Sequence, residues 1–240
     1  MKKIKKLKIL DCPCYPLKNS DVESLLCEMI ESSGYSVAIN AEKIMMYNET
    51  DEVKEVIDSS LLPYPDGAGA TLAFKLLHNI RVEKIFMPVS ALEVANKYKL
   101  KVFIFGAKEN IHKIAIKTIK TKYPNLKIVG NRHGYTEEKV VMTEIINSKP
   151  DISLFAIGSP RQEIFASKIS KKMKRGVIIG CGGALDVISG ELKRAPKFMI
   201  DNNLEWFYRL TQEPWRILRQ LKLLKFSLML LTNLMSGKSK

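Results

Sequence analysis

Residues 152–183 read ISLFAIGSPRQEIFASKISKKMKRGVIIGCGG. The β-branched and aromatic run Ile152–Ile157 predicts a strand. Gly158-Ser159-Pro160 breaks it, and from Pro160 to Lys171 the apolar residues recur at helical spacing. Val177–Ile179 predicts a second strand, which runs into the Gly-rich turn Gly180-Cys181-Gly182-Gly183. A strand, a helix and a strand in that order form the unit of a parallel sheet.

The alternation extends toward the N-terminus. Strands are predicted at Ser36–Ile39, Leu61–Tyr64, Lys84–Met87, Lys101–Phe105 and Lys127–Val129, and helices at Asp21–Ser32, Asp51–Ser60, Lys108–Lys122 and Glu137–Asn147. The fold class is therefore α/β, a Rossmann-like, largely parallel sheet with a C-terminal helical appendage. Ligands in such sheets bind outside the carboxyl ends of the strands. Asn40, Asp66, Gly106, Gly158 and Gly180 each follow a predicted strand. After Gly190 the alternation stops, and two helical segments remain, near 196–210 and 213–234. Pro214 suits the first turn of the second. The expected organisation is a catalytic α/β domain at 1–192 and a basic helical appendage at 193–240.

The net charge of +14 is unevenly placed. From Lys193 to Lys240 ten Lys or Arg face three acids, and the first eight residues hold five lysines. Such clustering points to an anionic surface, either nucleic acid or anionic lipid. No zinc finger, RNP-type aromatic motif or recognition helix is recognisable, which leaves nucleic-acid binding as the rival reading from another class. The four cysteines, Cys12, Cys14, Cys27 and Cys181, form neither a disulfide framework nor a repeated zinc motif, and unpaired thiols in a reducing compartment are expected. No signal peptide is read at the N-terminus. The uncharged run from Phe226 to Gly237 is shorter than the roughly 20 residues of a spanning helix. The expected location is the cytoplasm, peripheral on the inner face of the membrane.

Several residues carry chemistry by type and place. Asp66, between Pro65 and Gly67, stands on a strand-to-helix turn, as either a helix cap or a general base. Asn40 is placed to meet a ligand with its amide, or to cap the helix that follows. Gly106, Gly158, Gly182 and Gly183 lie at strand ends, where backbone N–H groups can meet a nucleotide's phosphates. Asp186 is placed for the ribose or for a cap. His78, His112 and His133 show no ligand spacing, and no paired acidic motif for a metal-bridged diphosphate is present. No metal or cofactor is expected.

Residues 182–219, GGALDVISGELKRAPKFMIDNNLEWFYRLTQEPWRILR, resemble the C-terminal signature of the WecG/TagA/CpsF glycosyltransferases. The resemblance continues through Ala38–Lys43, Pro65-Asp66-Gly67, Gly130–Tyr135 and Gly158–Glu163, and so covers roughly 36–225. It implies an inverting, metal-independent transferase that uses a UDP-sugar donor and a polyprenyl-diphosphate-linked N-acetylglucosamine acceptor at an anionic membrane surface. It makes Asp66 the catalytic base and Asn40, Lys84, Gln162, Arg209, Arg216 and Arg219 substrate-binding. Lys84 stands where relatives carry arginine, and Ala38 where they often carry threonine. The likeness is greatest to the branch that transfers N-acetylmannosaminuronic acid in surface-polysaccharide synthesis; the alternative is N-acetylmannosamine transfer of the teichoic-acid linkage type. Arg132, Arg161 and Lys84 are the candidates to meet a uronate carboxylate. A homo-oligomer is left open.

Overall fold

The computed structural model describes residues 4–193, 195–201, 204–212 and 217–236. It opens with an antiparallel hairpin of β1 (Leu7–Ile9) and β2 (Cys12–Cys14), then α1 (Asn19–Ser32). Next come β3 (Gly34–Ile39), α2 (Ala41–Glu49), α3 (Asp51–Asp58), β4 (Leu62–Pro65), α4 (Gly67–His78) and α5 (Met87–Lys97). β5 (Lys101–Gly106), α6 (Glu109–Lys122), β6 (Lys127–Arg132), α7 (Glu138–Ser148), β7 (Ile152–Ala156), α8 (Arg161–Ser170) and β8 (Val177–Gly180) complete the alternation. The chain ends in α9 (Ala184–Ser189), α10 (Lys197–Asp201), α11 (Glu205–Gln212) and α12 (Ile217–Met235).

β3 to β8 form one six-stranded sheet in the order β4-β3-β8-β7-β5-β6, and every neighbouring pair is parallel. Parallel sheets need cover on both faces, so their strands are apolar on both sides. Here Val37, Ile39, Phe103, Phe105, Phe155 and Ile178 point to one face, which α2, α3, α4, α7, α8 and α12 cover. Phe105, Phe155 and Phe165 pack there with ring centroids 5.5–5.9 Å apart. Leu62, Tyr64, Val102, Ile104, Leu154 and Ile179 point to the other face, under α1, α5, α6 and α9.

The strand expected at Lys84–Met87 is not formed. Residues 84–86 are irregular and Met87 opens α5, with Pro88 in its first turn. Proline lacks the N–H that a ladder needs but suits a helix start. Ile85 and Met87 are still buried, so the apolar signal was genuine and only its geometry differs. The hairpin and α5 had not been read from the sequence, and of α4 only the start, at the Asp66 strand-to-helix turn, had been. Cys12 and Cys14 are fully buried in the hairpin. Burial pushes the Cys12 thiol up to about 12 and Cys14 well above the usual range, so neither acts as a thiolate.

The site is positioned by one topological feature. After β3 the chain turns onto α2 on one face, whereas after β8 it turns onto α9 on the other. β3 and β8 are neighbours, so their exits diverge and a crevice opens at their carboxyl ends. Gly106, at the end of β5, serves the sheet itself. Its φ is +135°, and a Cβ there would lie 2.3 Å from the Ala156 carbonyl oxygen of β7. Gly106→Ala is therefore expected to destabilise the fold by about 2–4 kcal/mol. In a thermal melt this should lower Tm by roughly 5–15 °C.

Candidate active site

A cleft of about 610 Å³ occupies the crevice at the carboxyl ends of β3, β4, β7 and β8. Asn40, Asp66, Lys84, Gln162 and Asp186 line it, together with Gly158, Gly182 and Gly183. Sequence positions more than a hundred residues apart are thus brought to one cavity by the strand order.

Asp66 follows β4 at the N-cap of α4. Its backbone N–H donates to the Ile39 carbonyl (2.8 Å), which extends the β3–β4 pairing and fixes the turn. Its side chain makes no capping hydrogen bond, so the capping alternative does not account for the carboxylate. Tyr64 lies two residues earlier, buried beside it. Burial, and then the Asp66 charge, push that phenol well above its ordinary range, so it stays neutral. Asn40 does act as a cap: its Oδ1 accepts from the Lys43 N–H at 2.9 Å. Its amide N–H₂ group can donate to a ligand.

Lys84 reaches the cleft from the irregular segment before α5. Its Nζ is buried and has no hydrogen-bond partner among the described residues. A buried ammonium without a partner is costly, and an anion in the cleft would relieve that cost. The other cation in the described lining, Lys43, is differently placed. Its Nζ pairs with Glu163 Oε1 at 2.5 Å, and the two residues are 5% and 4% exposed. The same oxygen accepts from Gln162 Nε2 at 2.9 Å, and Gln162 Oε1 accepts from the Gly182 N–H at 3.2 Å.

The remaining expected site residues fall elsewhere. Gly106 is not part of the cleft lining. Arg209 and Arg219 lie on α11 and α12, but their side chains are outside the described set, and Arg216 lies outside the described residues altogether. Arg132 and Arg161 are ion-paired with Glu144 and Glu138 and do not line the cleft. His112 is structural, held by the Gly106 carbonyl (2.9 Å) and Asn131 Oδ1 (3.0 Å). Among the described residues no three of His, Cys, Asp and Glu converge as a metal-holding group. Sequence reasoning missed Lys43, Glu163 and Trp206, the last of which lines the cleft from α11. Lys43 and Glu163 end the two motifs Ala38–Lys43 and Gly158–Glu163, and their opposite charges were the available signal.

The chain matches the Glycosyl transferase WecG/TagA/CpsF family over residues 7–240. It is similar to the N-acetylglucosaminyldiphosphoundecaprenol N-acetyl-beta-D-mannosaminyltransferase of Bacillus subtilis (strain 168). The two are 39% identical over 181 residues, which cover 74% of this chain and 71% of that protein. A protein of the same name from Bacillus spizizenii (strain ATCC 23059 / NRRL B-14472 / W23) is 33% identical over 196 residues, covering 80% of this chain and 76% of the relative.

The unpartnered Lys84 ammonium generates a prediction with opposite signs in two states. Lys84→Met removes a desolvated charge, so the ligand-free protein should melt at the same temperature or higher. The same change should weaken UDP binding by about tenfold or more, the worth of a charge-assisted hydrogen bond. Melts with and without UDP read both effects. A variant that melts lower and keeps full UDP stabilisation would contradict this placement of the ammonium.

Proposed function

The chain belongs to the WecG/TagA/CpsF family of glycosyl transferases, and from that premise we propose that it transfers N-acetylmannosamine from UDP to a polyprenyl-diphosphate-linked N-acetylglucosamine. The observation that carries this reading is the presence in one cleft of Asp66, whose side chain makes no capping hydrogen bond, and of Lys84, whose buried Nζ has no hydrogen-bond partner among the described residues. Asp66 takes the proton from the acceptor hydroxyl as its oxygen bonds to the anomeric carbon. The bond from that carbon to the UDP oxygen breaks, and UDP leaves with the electron pair. Lys84 and the backbone N–H groups near Gly158 and Gly183 receive the developing charge, the Gly182 N–H being held by Gln162. A single displacement of this kind inverts the anomeric centre. Asn40, through its amide N–H₂, and Asp186 are assigned to the donor's sugar and ribose.

The sequence favoured a uronate donor, and the charge inventory favours the neutral sugar. A C6 carboxylate calls for a second cation beside the one that meets the diphosphate. Arg132 and Arg161 are engaged with Glu144 and Glu138, and Lys43 is engaged with Glu163. Among the described residues, that leaves Lys84 alone for the diphosphate. The names of both relatives, which specify N-acetylmannosaminyl transfer, agree with the neutral donor.

Attachment to a membrane surface is part of the same proposal. No helix among the described residues is long and apolar enough to cross a membrane. α12 exposes Leu224, Leu228, Leu231 and Met235, which recur at steps of four, three and four along one helical face. Lys222 and Lys225, which the sequence had offered to an anionic surface, instead pair with Glu42 and Glu49 of α2 at 2.7 and 2.6 Å. The apolar stripe therefore supports lipid contact better than these two charges do. The same pairings weaken the case for nucleic acid.

Three measurements test the proposal. UDP release is expected with UDP-N-acetylmannosamine and a short-chain lipid-diphosphate N-acetylglucosamine, and to be at least tenfold slower with the uronate donor; the reverse preference would overturn the donor assignment. Asp66→Asn should lower kcat by about 10²–10⁴ while UDP affinity stays near the parent value. Transfer should persist in EDTA, because the diphosphate charge is assigned to side-chain and backbone N–H groups. Loss on chelation with rescue by Mg²⁺ or Mn²⁺ would show that a metal shares that task.

A further inference from the structure

We propose that Lys43 and Glu163 are positioning residues, which hold the Gly180–Gly183 turn in its ligand-receiving shape by way of Gln162. The proposal rests on the reading of the cleft as a nucleotide-sugar site.

The pair poses an energetic question. Taking both charges out of water is costly, and an apolar pair of the same size is often as stable or more so. Glu163 Oε2 is also buried with no hydrogen-bond partner among the described residues. Stability alone would not select this arrangement. What the pair does accomplish is directional. An amide can turn its oxygen and nitrogen end for end, and its surroundings decide which end faces where. Glu163 Oε1 is an obligate acceptor, so Gln162 must present Nε2 to it (2.9 Å). The amide oxygen then has to face the Gly182 N–H (3.2 Å). The reverse orientation would set N–H against N–H and oxygen against carboxylate. Lys43 compensates the Glu163 charge (2.5 Å), so no net negative charge stands beneath a site for a diphosphate.

The amide bears directly on the turn. A Cβ at Gly180 would lie 2.7 Å from Gln162 Nε2, so only glycine lets the amide pack against the backbone there. The Cys181 N–H donates to the Phe155 carbonyl (2.6 Å) and the Ala184 N–H to the Cys181 carbonyl (3.0 Å). With Gly182 held by Gln162, the turn's shape is defined on every side. Lys43 lies on α2 after β3, Glu163 and Gln162 lie on α8 after β7, and Gly182 follows β8. One chain of hydrogen bonds thus ties together three of the four strand exits that border the crevice, those of β3, β7 and β8.

The test compares three variants by UDP titration calorimetry, thermal melts and steady-state kinetics. Lys43→Met/Glu163→Leu removes both charges and the acceptor. It should melt near or above the parent, bind UDP about tenfold more weakly, and lose a similar factor in kcat/KM for the donor at unchanged acceptor KM. Lys43→Met/Glu163→Gln returns a carbonyl oxygen for Gln162 Nε2 and should recover most of the lost affinity. Gln162→Met should give the same tenfold loss alone and none further when added to Lys43→Met/Glu163→Leu. Parent-like UDP binding by Lys43→Met/Glu163→Leu overturns the proposal, as does an additive loss in the combined variant. If Lys43→Met/Glu163→Leu does not fold, parent-like UDP binding by Gln162→Met is the overturning result. UDP titration needs no turnover. A protein that shows this binding pattern yet transfers no N-acetylmannosamine would sink the donor assignment and leave the positioning role standing.

Discussion

A parallel sheet covered on both faces has nowhere to put a ligand except beyond its strand ends. Backbone pairing fixes β3 to β8 side by side, and the buried layers of Phe103, Phe105 and Phe155 on one face and Ile104, Leu154 and Ile179 on the other leave no room within. The site must therefore form where two neighbouring strands send their exits to opposite faces. In this chain that happens between β3 and β8. Asn40, the first residue past β3, and the Gly182–Gly183 pair past β8 face each other across the crevice because the sheet order requires it. Everything proposed for the site depends on that one divergence of strand exits.

Charge balance within the crevice follows from which lysine has a partner. Lys43 and Lys84 both border the cleft, but of the two only Lys43 hydrogen-bonds a carboxylate among the described residues. The Lys43–Glu163 pair is electrically silent from the cleft and acts through geometry. Lys84 Nζ has no hydrogen-bond partner among the described residues, and its proposed part is attraction of the diphosphate. The division of labour matters for the donor. A diphosphate draws on that charge, and a sugar without a carboxylate asks for no other. The proposed preference for a neutral sugar thus rests on the pairing of the other described cations rather than on any feature that recognises the sugar itself.

Much of this was legible in the sequence, for local reasons. Strands such as Lys101–Gly106 and Ile152–Ala156 are short β-rich runs closed by a helix signal, and local propensity and burial there agree. Eight nominated residues do line the cleft: Asn40, Asp66, Asp186 and three glycines from their turns, and Lys84 and Gln162 from the family resemblance. The failures are equally physical. Lys84–Met87 is a brief apolar run that a strand and a helix start share, and Pro88 was the discriminating residue. The strand at Cys12–Cys14 hid behind a proline. α4 begins Gly-Ala-Gly-Ala and shows little helical periodicity at its start. The Lys43–Glu163 contact spans 120 positions and has no local pattern at all; it exists only once α2 and α8 pack together.

The basic helical appendage expected at 193–240 includes α12, which packs on α2 and α4, and Phe226 and Leu230 enter the same buried layer as Ile44 and Phe74. Surface pairs such as Lys222–Glu42 add little energy by themselves; they set the rotation of a helix that the apolar contacts hold. That rotation buries Phe226 and Leu230 and turns Leu224, Leu228 and Leu231 outward. The two helices beneath are those whose N-terminal ends carry Asn40 and Asp66. A surface met by the outward stripe is thereby coupled, through two packed helices, to the residues assigned to the sugar and to the proton. If the proposed lipid-linked acceptor is met at a bilayer, that coupling would set the cleft's orientation to it through α12, and no helix among the described residues is long and apolar enough to cross a membrane.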